Sequence, residues 1–100
     1  YLPATIKEGP LIVAVSTSGT SPAFARKMRQ EIEKELPPDI GEILERMGSF
    51  RADLMQRLPT QEKRQVAYEE ILGWLLADHN QTDDEVIEQI ITHYETEANE

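Results

Sequence analysis

Cysteine is absent from these 100 residues. That removes disulfides, thiolate metal sites and cysteine nucleophiles, and excludes a disulfide-stapled secreted scaffold while staying neutral between other compartments. Long apolar runs are also missing. The longest, Leu11–Val15, has five residues, against the roughly twenty needed to span a bilayer, so a soluble, cytoplasmic protein without a membrane span is expected. Positive charge is scarce, with ten Lys and Arg against nineteen Asp and Glu and a net charge of −9, which argues against a nucleic-acid surface. An initial Met and a signal-like segment are lacking too. With its first apolar run preceded by no strand to pair with, the chain reads as part of a larger protein with sequence upstream.

What basic charge there is collects in one place. Residues 1–30 hold Lys7, Arg26, Lys27 and Arg29 against Glu8 alone, a local balance of +3 that leaves −12 on the remainder. At the centre of this region lies LIVAVSTSGTSPAFA, Leu11 to Ala25. Leu11–Val15 is rich in β-branched residues and predicts a strand buried on both faces. Ser16, Thr17, Ser18, Gly19, Thr20 and Ser21 follow as a hydroxyl-rich loop, and Pro22 fits the first position of a helix capped by Ser21. Strand, small polar loop and helix N-terminus together form an anion cradle, because free backbone N–H groups and the helix dipole point the same way.

Ahead of that strand, Tyr1 to Lys7 suits an edge strand because of Pro3, and Gly9-Pro10 is a turn signal. Thr5 to Val15 therefore predicts a β-hairpin. Two strands alone are marginal in water, so completion by upstream sequence or a second subunit is expected. After Pro22 the pattern is helical throughout. Phe24 or Ala25, Met28, Ile32 and Leu36 form a stripe ended by Pro37-Pro38. Asp39 opens a helix of about twenty residues carrying Ile43, Met47, Phe50, Leu54 and Leu58, with Gly48-Ser49 as a weak point and Pro59 as its stop. Thr60 opens a third helix with Val66, Ala67, Ile71, Trp74 and Leu75. A polar break from Asp78 to Gln81 precedes a fourth, begun by a Thr82/Glu85 capping box and carrying Val86, Ile87, Ile90, Ile91 and Tyr94. The expected class is α+β, a short hairpin and about four helices, organised as a hairpin, loop and first helix over 1–36 and a helical region over 37–100.

The helix after Pro22 places Arg26, Lys27 and Arg29 in its first two turns and Glu31, Glu33 and Glu35 in its last, the reverse of what the dipole prefers. Surface ion pairs Lys27–Glu31 and Arg29–Glu33 account for this at only about 0.2–0.5 kcal/mol each. A functional account holds positive charge beside the loop for an anionic ligand. Other candidates are weaker. His79 and His93 have no second ligand at metal-binding spacing, and Asp78, Asp83 and Asp84 read as caps and solvated loop, so no metal site is expected. Trp74 and Tyr68 read as core or interface. The loop hydroxyls have no adjacent base and are better anion ligands than nucleophiles, so no catalytic residue is assigned.

The run GPLIVAVSTSGTSPAFARKMRQEIEKELP, with Tyr1 to Pro3 before it, resembles the segment that follows the NAD-binding domain in siroheme synthases, the precorrin-2 dehydrogenase and sirohydrochlorin ferrochelatase family. Beyond it, towards Glu100, only the helix pattern is similar. The resemblance implies a homodimeric enzyme with its Rossmann domain before Tyr1 and its dimerisation region starting at the hairpin. The activity it implies is oxidation of precorrin-2 to sirohydrochlorin with NAD, and in many members insertion of ferrous iron to give siroheme. A tetrapyrrole with eight carboxylates would give Arg26 and Lys27 a partner.

Some of the family's features are absent. The glycine-rich nucleotide fingerprint and the proposed catalytic aspartate belong upstream, so these residues alone are expected to be inactive and to bind no NAD. Thr17 stands where many members carry serine and Ser18 where they often carry a second glycine. The acidic Glu95 to Glu100 reads as an approach to a natural end, and no fused methyltransferase is seen. Two competing readings are a non-catalytic helical dimerisation module and a phosphosugar isomerase loop, which Ser16-Thr17-Ser18-Gly19-Thr20 also resembles. The latter folds need further parallel strands, whereas here only helices follow Pro22.

Overall fold

The computed structural model describes residues 2–80 and 83–98, with side chains to residue 96. Its architecture is the α+β arrangement expected, an antiparallel hairpin followed by helices. The chain forms two compact units, 1–44 and 45–100.

In the first unit, β1 (Ala4–Glu8) pairs with β2 (Leu11–Val15), Glu8 opposite Leu11 and Ala4 opposite Val15. The two-residue connection is Gly9-Pro10. Gly9 has φ +56°, and glycine at the first turn position followed by proline suits a type II′ hairpin. A Cβ on Gly9 would lie 3.0 Å from the Cα of Gly41, and one on Gly41 3.2 Å from the Gly9 nitrogen. The hairpin tip and the start of the helix that begins at Ile40 therefore touch backbone to backbone.

The sheet is covered on one side only. Ile6, paired with Val13, is 4% exposed, whereas Ile12, opposite Lys7, is 67% exposed. This corrects the expectation of a strand buried on both faces. Leu11, Val13 and Val15 are half-buried while Ile12 and Ala14 face outward, because within this chain only one face of the hairpin is covered, chiefly by the helix that comes next in the chain.

That helix, α1 (Pro22–Glu35), begins at Ser21, whose Oγ accepts from the Phe24 N–H at 3.1 Å. It ends at an extended Leu36 before Pro37. Ala25 is buried and Phe24 exposed, which decides between the two stripe positions. Arg29 pairs with Glu33 at 2.8 Å as the spacing suggests, but Glu31 takes Lys34 at 3.3 Å rather than Lys27. Acid before base along the chain is the orientation the helix dipole favours.

The expected twenty-residue helix is two. Helix α2 (Ile40–Ser49) and α3 (Arg51–Arg57) meet at Phe50, whose φ −92° and ψ −5° lie at the edge of the helical region. The cause is local. Ser49 Oγ donates back to the Arg46 carbonyl at 2.5 Å, a bond that competes with helix continuation, beside a glycine that disfavours it.

The second unit is helical. Leu58 follows α3 in extended conformation, and Thr60 Oγ1 caps α4 (Gln61–Trp74), accepting from Lys63 N–H. The chain leaves α4 through a π-type turn, Leu75–His79, in which Asp78 has φ +69°. Helix α5 (Glu85–Ala98) follows. Thr82 lies outside the described residues; Asp83 Oδ1 accepts from the Glu85 N–H at 3.1 Å at this helix start. Leu54, Leu58, Ala67, Ile71, Leu75, Ile87 and Ile91, each at most 1% exposed, fill the core, whereas Val66 is 45% exposed. The stripe on α4 thus runs through Ala67 and Ile71, not Val66.

Two arginines tie this unit together. Arg46 Nη2 donates to the Asp83 carbonyl and Asp84 Oδ1, both at 2.9 Å. Arg57 meets Asp53 at 3.3 Å, Glu88 at 2.6 Å and Glu95 at 3.0 Å. The hydrogen bond from Arg57 holds the Glu95 carboxyl below its usual range. A depressed carboxyl stabilises the fold above its unfolded pKa, about 4.3, and that contribution is lost as pH falls through the lower folded value. Glu95→Gln should accordingly flatten the loss of stability below about pH 4. Urea titrations across that range check this, and an unchanged acid limb would remove Glu95 from the acid response.

Candidate anion-binding site

The hydroxyls of the loop between β2 and α1 first of all hold the loop. Thr17 Oγ1 accepts from the Ser21 N–H at 2.9 Å, Ser16 Oγ accepts from the Ser18 N–H at 3.2 Å, and Thr20 Oγ1 donates to the Thr17 carbonyl at 2.7 Å. Ser18 and Gly19 follow one another with φ +56° and +81°. Glycine takes that region freely, but a residue with a Cβ does so at a cost of about 1–2 kcal/mol. The hydroxyl network offsets this at Ser18, and α1 starts where the loop directs it.

Two recesses border the loop. One, of about 100 Å³, is lined by Leu2, Val15, Ser16, Thr17, Gly19, Pro22 and Ala25. The other, of about 310 Å³, has Pro3, Ala4, Arg26 and Arg29 with Leu2, Pro22 and Ala25. Of the residues expected to form the site, Ser16, Thr17 and Gly19 therefore share one recess and Arg26 borders its neighbour. Ser18, Thr20, Ser21 and Lys27 line neither, and Ser21 acts as the helix cap. Arg29, read from sequence only as an ion-pair partner, belongs to the second recess. Its place there depends on where α1 passes Leu2 to Ala4, which no motif encodes.

Among the described residues, no acid lines either recess. Arg26 and Lys27 are exposed and, among the described residues, make no ion pair. The first turn of α1 contains no acidic residue, so its dipole and its basic side chains act in the same sense on an approaching anion. Chemically the arrangement can hold carboxylates. It does not suit a dinucleotide. The loop has a single glycine, and β2 pairs antiparallel within a hairpin, whereas dinucleotide recognition needs several glycines between parallel strands and an acid on the second strand.

Elsewhere the polar candidates have structural partners. His79 stacks on Trp74 with ring centroids 3.6 Å apart and Nδ1 3.0 Å from the Trp74 carbonyl. His93 lies edge-on to Tyr94 at 5.0 Å. Among the described residues no three His, Cys, Asp or Glu side chains gather as a metal site, and no helix is long and apolar enough to cross a membrane.

Comparison with known proteins bears on the same stretch. Residues 8–35, from the end of β1 to the end of α1, match the family described as sirohaem biosynthesis protein central. The chain is 38% identical over 71 residues to siroheme synthase 1 of Serratia proteamaculans, covering 71% of this chain and 15% of that protein. It is 31% identical over 102 residues to the siroheme synthases of Escherichia coli and Shigella sonnei, covering 92% of this chain and 22% of each. The chain thus spans about a fifth of the length of these relatives or less.

Proposed function

Since this chain carries sequence of the siroheme synthase family, we propose that its hairpin, loop and first helix form one wall of a tetrapyrrole site in an enzyme of siroheme biosynthesis. In the whole protein, precorrin-2 is oxidised to sirohydrochlorin with NAD as hydride acceptor. The residues that bind NAD and move the substrate proton lie outside this chain, because the loop between β2 and α1 does not fit a dinucleotide. Ferrous iron insertion, where it follows, uses the metal as substrate on the same bound ring. The part played here is binding and orientation.

The observation that carries the reading is the acid-free recess beside the loop, where Arg26 is exposed and without an ion pair among the described residues. Precorrin-2 presents eight carboxylates, and guanidinium and ammonium groups recognise these by charge-assisted hydrogen bonds. The loop contributes a rigid floor of small residues against which a flat macrocycle can rest. The outward face of the hairpin, with Ile12 67% exposed, supports a second assignment. A second copy of the chain covers that face, giving a homodimer in which strands from two subunits complete each other.

Substrate binding by the whole protein tests the site. An exposed charge pair is worth about 0.2–1 kcal/mol, so Arg26→Ala with Lys27→Ala should weaken tetrapyrrole affinity about two- to thirtyfold. Unchanged affinity would return both residues to the surface. Light scattering on the same samples should report a dimer, and a monomer would remove the shared-strand assignment.

A further inference from the structure

The helical unit has a groove of its own between α3 and α4. Its volume is about 360 Å³, it opens to solvent, and it is lined by Arg51, Met55, Gln61, Arg64, Gln65 and Tyr68. In a chain with nineteen acids and a net charge of −9, no acid among the described residues lines it. Of the nearby carboxylates, Asp53 pairs with Arg57 at 3.3 Å, and Glu69 accepts from the amide of Gln65 on the groove wall at 3.3 Å.

The two guanidinium groups differ usefully. Arg64 is half-buried and its Nη1 donates to the Leu58 carbonyl at 2.9 Å, which fixes it at the end of α3. Arg51 is exposed and makes no ion pair or hydrogen bond among the described residues. Between them lie the thioether of Met55, 55% exposed, and the half-buried ring of Tyr68. Met and Tyr offer polarisable apolar surface, and the amides of Gln61 and Gln65 can donate or accept.

We infer that this groove binds a small organic carboxylate, its anionic head on Arg51 and Arg64 and its apolar body against Met55 and Tyr68. Guanidinium forks match carboxylates two bonds at a time, and a pocket with apolar flanks and a few convergent polar groups is the usual form of a small-molecule site. The inference is independent of the tetrapyrrole reading, since no residue is shared with the loop between β2 and α1.

The test is a chemical-shift titration of the full 100-residue chain with benzene-1,3-dicarboxylate, and with the neutral benzene-1,3-dicarboxamide as control. Shifts should concentrate in residues 51–68 and weaken as ionic strength rises. Arg51→Gln, at an exposed position, should raise the dissociation constant by about two- to fivefold with the far-UV spectrum unchanged. Met55→Ser should weaken binding as well. Equal binding of the diamide, equal affinity for inorganic phosphate, unchanged affinity in Arg51→Gln, or shifts confined to residues 16–27 would each overturn the inference. The last would point instead to the loop as the anion site.

Discussion

Replacing Ile91 with alanine is expected to destabilise the helical unit by about 2–5 kcal/mol. Ile91 is fully buried with Leu54, Leu58, Ile71 and Ile87. Truncation removes three carbons from water-free packing and leaves a space that rigid helices fill only in part. Against a total stability of about 5–15 kcal/mol for a domain, this one change takes roughly an eighth at the least and, in a marginal domain, nearly all of it. Its neighbour provides the control. Ile90 is only half-buried, so Ile90→Ala should cost about 1 kcal/mol. Urea unfolding followed by far-UV dichroism and by Trp74 fluorescence separates the two. Equal midpoints for the two variants would mean that the core does not run through Ile91.

At Gly41 a single methyl group should have an effect of similar size. A Cβ there would sit 3.2 Å from the Glu8 carbonyl carbon and 3.2 Å from the Gly9 nitrogen, and these are backbone atoms that cannot rotate away. The tip of the hairpin must move off the helix, at a cost of about 1–3 kcal/mol. Gly9→Ala adds the strain of a Cβ at φ +56°, a further 1–2 kcal/mol or so. Because both changes disrupt one contact, the double variant should cost less than the sum. Gly48→Ala should go the other way. Nothing lies within 4 Å of its Cβ position, and alanine in place of a helical glycine gains about 0.5–1 kcal/mol. A Gly41→Ala protein as stable as the parent would show that the close approach is absent.

Most of the element order could be read from sequence because its punctuation is chemical. Pro22, Pro37, Pro59 and Thr60 act through missing N–H groups and side-chain oxygens, which work the same way in any tertiary setting. Burial was less legible. The sequence of β2 is uniformly apolar, yet only one face is covered within this chain, since periodicity reports what a strand can bury and not what lies opposite it. Phe50 broke the second helix where Gly48-Ser49 hinted at weakness, but the site of the bend depends on a hydroxyl turning back on Arg46. The hub at Arg57 was invisible for a different reason. Its partners Glu88 and Glu95 are far away in sequence, and the one local partner, Asp53 four residues before it, signals only an ordinary surface pair. At the candidate site the hydroxyl run and the basic start of α1 stood out. Which of those hydroxyls face a recess and which tie the loop did not, because that follows from the two left-handed residues Ser18 and Gly19.

The same loop has a consequence for how this surface can evolve. Helix α1 is aimed by hydrogen bonds and backbone torsions that precede it, and only Ala25 among its residues is fully buried. Its direction therefore owes little to the side chains it displays. Charges along the helix can be exchanged, reversed or added without disturbing the scaffold that presents them. The charge this surface displays is thus mutationally uncoupled from folding, and it can change while the architecture stays constant.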